Sequence, residues 1–172
     1  INNSVSSEPE VKDDNTKSIV FLRELINRKS SDDIAGIIFN SGMNIGLIDA
    51  ATAGNEFDDD EAGVGLARKV GMDAALRIFN YSSSEKKIII SLDADCVVEK
   101  NYLTEIIGSF SNSKFSAALV DFEHNISEES TNKLGIISYE IFLRHYVVGL
   151  LFAQSTYGFH TIGSTIVCDH EA

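Results

Sequence analysis

Apolar residues recur along this chain in two rhythms, one near 3.6 residues and one of short unbroken runs, and the two alternate. Residues 16–28 carry Ile19, Leu22 and Ile26 at helical spacing. Ser31-Asp-Asp33 is a cap for a shorter helix through Phe39, and residues 42–44 break the pattern. Residues 45–48 read as a short strand. A longer helix over 64–81 sets Ala67, Gly71, Ala74 and Ile78 along one stripe, small enough to lie close to a sheet. The run Ile88-Ile-Ile-Ser-Leu92 reads as a buried strand, followed by a helix over 101–110 and a strand over 115–122. A helical region over 128–153 and a strand over 161–168 complete the series. Strands alternating with helices predict one α/β domain, a mostly parallel sheet flanked by helices.

Composition changes this picture little. The 172 residues, 44% hydrophobic and 23% charged, are ordinary for a globular domain. The net charge of −12 argues against nucleic acid and anionic membranes as partners. Cys96 and Cys168 lack metal-ligand spacing and form no disulfide framework, which fits a cytoplasmic setting. The apolar stretch around 141–153 is interrupted by Arg144 and His145 and is too short to span a bilayer, so membrane association would come from a longer parent protein. Residues 52–63, with Asp58-Asp-Asp-Glu61, read as a solvated acidic loop, because their spacing fits no EF-hand.

The candidate chemistry lies at Asp93-Ala-Asp95. Two carboxylates closing a buried strand suit a hard divalent cation, Mg²⁺ or Mn²⁺, and through it a phosphorylated ligand. Strand-ending Asp is also a common turn or cap residue. His160 and His170 stand near the expected cleft, although a lone histidine more often serves a structural role.

The order Gly63-Val-Gly-Leu-Ala-Arg68-Lys-Val-Gly71-Met-Asp-Ala-Ala75, then a strand ending Asp93-Ala-Asp95, then Gly163-Ser-Thr-Ile-Val-Cys168, resembles family 2 glycosyltransferases of the GT-A fold. The resemblance implies metal-assisted, inverting transfer from a nucleotide-diphosphate sugar to a glycan, lipid or protein acceptor. It implies Asp95 as metal ligand, Asp93 against the ribose or donor sugar, and Arg68 and Asn2 against the nucleotide. Gly163 and Ser164 would line the donor or acceptor pocket. Asn2 stands where many relatives carry Asp, which leaves the base recognised open. Relative to the family, the chain starts after the first strand and stops before the acidic motif that supplies the general base. An incomplete domain, inactive alone and with an open sheet edge that favours a homodimer, is therefore expected. Two other readings compete. Asp93-Ala-Asp-Cys-Val97 matches the nucleophile motif of haloacid-dehalogenase-like phosphatases, though a long region precedes it and no Gly-Asp-x-x-x-Asp follows. A non-catalytic sugar-nucleotide-binding or assembly module is the other.

Overall fold

The computed structural model describes every residue except 125, 127–130 and 161–164. The chain divides into two compact units, Ile1–Arg77 and Ile78–Ala172.

The first unit is built on helices α1 (Pro9–Ile26), α2 (Asp33–Ser41) and α3, which begins at Val64 and runs to Ile78. Pro9 opens α1 where its missing N–H costs nothing. The buried stripe of α1 is Ile19 and Leu25, with Leu22 half-buried between them, whereas Ile26 is exposed. The capping expectation for α2 holds in detail: the Asp32 carboxylate accepts the Ile34 N–H at 2.8 Å, and Gly42 ends the helix at φ +73°.

No strand forms over residues 45–48. Instead the segment starting at Ile1 makes two isolated parallel bridges, Asn2 with Ala50 and Ser4 with Phe57. Asn3 lies between them, buried, and stitches the pair together. Its backbone N–H donates to Ala50 O at 2.9 Å, its side-chain amide donates to Ala51 O at 3.1 Å, and its side-chain oxygen accepts from Asn15 of α1. The acidic residues 58–61 are exposed, as expected of a solvated loop, and the segment is also anchored to the start of the chain. Asp59 accepts the Ser6 N–H at 2.9 Å, and Glu56 takes Lys12 at 3.1 Å. These bonds hold both carboxyl groups below their usual range, chiefly through the backbone N–H groups of Ser6 and Gly54. Along α3 no residue is fully buried, and a Cβ on Gly71 would meet no described atom within 4 Å.

The second unit holds strands β1 (Ile88–Leu92), β2 (Ala117–Leu119) and β3 (Thr165–Asp169), with α4 (Tyr102–Asn112) and α5 (Lys133–Phe152) between them. The strand order is β1-β3-β2 and both pairings are antiparallel, with Ile90 and Ala118 both opposite Val167. This corrects the expected fold class. Among the described residues, five helices and a small three-stranded antiparallel sheet stand where the mostly parallel sheet of a GT-A domain was expected. The inference of parallel strands rested on helices intervening between them. An antiparallel pair can equally be joined by a long helical connection, and here α5 returns the chain so that β3 runs against both neighbours.

One face of this sheet packs on α4. Phe110, Ile106 and Val167 form the core, with Ile88, Ile90, Tyr102, Ala118 and Val120 around it. Lys86 closes the far end. Its ammonium lies 3.2 Å from the buried Asp169 carboxylate, donates to Phe115 O at 3.1 Å, and sits 5.4 Å over the Phe110 ring. Burial pushes the Asp169 carboxyl up. The Glu171 N–H and Lys86 outweigh that push and hold it below the usual range.

Helix α5 starts well before the apolar stretch read from the sequence and is 20 residues long. By length and composition alone it is long and apolar enough to cross a membrane. Only Leu143 is fully buried along it, and Leu134, Phe142 and Phe152 are exposed.

Candidate functional site at the sheet rim

The antiparallel register decides which residues share an edge of the sheet. Leu92 pairs with Thr165, and Leu119 pairs with Ile166, so the carboxyl ends of β1 and β2 flank the start of β3. Asp93 follows directly on β1. Asp121 follows β2 by two residues, after Val120 donates its N–H to Thr165 O at 3.5 Å. Two strand spacings of about 4.8 Å separate these exits. One rim therefore carries Asp93 and Asp95 at one side and Asp121 at the other.

Asp93 and Asp95 lie on a tight turn closed by the Cys96 N–H donating to Asp93 O at 3.2 Å. Asp93 is half-buried at the strand end and Asp95 is exposed. The Cys96 thiol is 3.9 Å from Asp95 Oδ1. Two carboxylates on an accessible turn fit Mg²⁺ or Mn²⁺, which bind one or two carboxylates and complete their shell with phosphate oxygens and water. Among the described residues no group of three or more His, Cys, Asp or Glu is arranged to hold an ion, so a metal here would depend on its phosphate ligand.

A second cluster lies on the Asp121 side and had no local signal in the sequence. Glu140 of α5 accepts both the backbone N–H of His124, at 3.1 Å, and its ring Nδ1, and Arg144 approaches at 3.4 Å. The His124 ring bond is the main reason that the Glu140 carboxyl sits below its usual range, and the His124 backbone N–H adds to it. The Phe122 ring meets His124 and His160 edge-on, with centroids at 5.8 and 6.0 Å, and Tyr139 meets His124 at 5.5 Å. Beside this cluster is a cavity of about 610 Å³, lined by residues 117–121, Val147, Phe159, His160 and Ile166.

Asn2 and Arg68 belong to the first unit, Asn2 half-buried beside Ala50 and Arg68 half-buried on α3. Gly163 and Ser164 lie outside the described residues. His170 is in the second unit, its ring 5.7 Å from that of Tyr81, and follows β3 at the end opposite the rim. Cys96 and Cys168 are both free, and burial pushes the Cys168 thiol up.

Comparison with known protein families, with curated proteins and with solved structures gives no match to this chain. The glycosyltransferase resemblance therefore rests on its own motif residues.

Proposed function

We propose that this chain takes part in glycosyl transfer from a nucleotide-diphosphate sugar to an acceptor hydroxyl. The observation that carries this reading is the accessible Asp93–Asp95 turn at the carboxyl end of β1. The reading does not draw on a parallel sheet. It draws on two carboxylates at a rim where a diphosphate can supply the remaining metal ligands.

Asp95, the more exposed of the two, is the residue assigned to the metal, and Asp93 is assigned to the ribose or donor sugar. A bound Mg²⁺ or Mn²⁺ would act as a Lewis acid, stabilising the negative charge that grows on the departing diphosphate. In the transfer itself the acceptor oxygen attacks the anomeric carbon and passes its proton to a general base or to water. The bond from that carbon to the phosphate oxygen breaks, and the nucleoside diphosphate leaves with the electron pair.

Thermal-shift titration with UDP, GDP and their sugars, with and without Mn²⁺, tests the reading. Stabilisation that requires Mn²⁺ and disappears in Asp95→Ala is expected. A chain whose melting is indifferent to every nucleotide in the presence of metal would refute it.

A further inference from the structure

The cavity beside β2 differs in character from the acidic turn across the rim. It lies on the sheet face opposite α4, where Ala117, Leu119 and Ile166 point, and is bounded by Val147 of α5 and by Phe159. Its volume of about 610 Å³ is that of a small-molecule pocket. Among the described residues of its lining, Asp121 and His160 are the polar ones, and both belong to the rim end. Asp121 emerges there from β2, and His160 is held there against Phe122, whose other edge contact is His124, fixed in turn by Glu140. The wall that carries the polar groups is thus braced through three side chains to α5.

We propose that this cavity seats the apolar body of the acceptor, a neutral amphiphilic alcohol whose hydroxyl lies at the Asp121–His160 end. This assignment rests on the glycosyl-transfer reading, since it names the acceptor class of the same rim. A sugar acceptor buried here would give up hydrogen bonds to water along its whole length against a described lining that is mostly apolar, and each group left unpaired would weaken binding. A hydrocarbon or aromatic body gains from the same burial. An anionic head group is disfavoured by Asp121 at the mouth and by the chain's net charge of −12. With its body in the cavity, such an alcohol directs its hydroxyl toward the edge that carries Asp93 and Asp95, two strand positions away.

The test uses the full chain with the fluorescent probe N-phenyl-1-naphthylamine, displaced by 1-decanol, sodium decanoate or maltose. Decanol is expected to displace the probe, decanoate more weakly, and maltose not at all. Val147→Trp, which fills the cavity, and Phe159→Asp, which charges an exposed part of its wall, should each weaken decanol by about tenfold or more. Both variants should keep the Mn²⁺-dependent nucleotide shift, which also shows that they fold. Failure of decanol to displace the probe, or equal displacement from wild type and both variants, overturns the proposal. If nucleotide and metal still stabilise the chain in that case, the acceptor assignment alone has failed. If decanol binds at the cavity but no nucleotide does, the transfer reading has failed, and with it the cavity's role as an acceptor site.

Discussion

Replacing Phe110 by alanine probes the packing that holds the strand leading into Asp93. The ring is 2% exposed, meets Phe115 edge-on at 4.8 Å, and packs with Ile106 and Val167 behind β1 and β3. A buried phenylalanine hides on the order of 150–250 Å², and at about 25 cal/mol per Å² losing most of that area amounts to about 3–4 kcal/mol. The lost edge contact adds about 1 kcal/mol. Core Phe→Ala changes span about 3–5 kcal/mol, and we expect about 4 here. Phe115, 41% exposed, should lose about 2–3 kcal/mol in the same change, because part of its surface is already in water while the shared edge contact is lost equally. Tyrosine fluorescence offers a selective readout. All five tyrosines lie in the second unit and the chain has no tryptophan, so urea unfolding followed this way reports on residues 78–172. A loss below about 1.5 kcal/mol for Phe110→Ala, or one no larger than for Phe115→Ala, would refute the assignment of Phe110 as the centre of that core.

Two further predictions concern polar groups. Asn3→Ala should destabilise the first unit by about 2 kcal/mol by removing two side-chain bonds from a buried site, and hydrogen exchange over residues 1–60 should quicken, with Asn2→Ala having a smaller effect. Because the folded Asp169 carboxyl lies below its usual value, its stabilising contribution is complete above the unfolded value near pH 3.9. It is lost as the pH falls through the lower folded one. Lys86→Met removes one cause of that lowering, so the acid-unfolding midpoint of the second unit should move to higher pH, read by tyrosine fluorescence; an unchanged midpoint would show that Lys86 does not support Asp169.

The presence of the helices was legible because their signals are local, although α1 starts at Pro9, seven residues before the expected 16–28 span. Asp32 and Gly42 cap α2 by chemistry that acts over two or three residues, and the spacing of Ile19 and Leu22 placed the inner stripe of α1 up to one residue's phase. Strand direction was not legible. β3 is buried at four of its five residues and reads like the middle of a parallel sheet, yet a central antiparallel strand is equally enclosed. The 45–48 run has strand-like residues without a partner ladder, and pairing passes to Ala50 instead. At the site, Asp93 and Asp95 could be picked out because they close their own strand. His124 with Glu140, and Phe122 with His160, could not be, because residues far apart in sequence meet only through the path of α5 and the return to β3.

The order of strands in the small sheet has a consequence for how it assembles. β1 and β2 come first along the chain but are not neighbours, and each finds its hydrogen-bond partner only in β3. As the polypeptide emerges from the ribosome, Ile88 must wait for Asp169, and Ala117 for Cys168. The rim that carries Asp93 and Asp121 thus comes into register in a single late event, after a loop closure of high contact order, and the nascent chain stays exposed to misassociation until then.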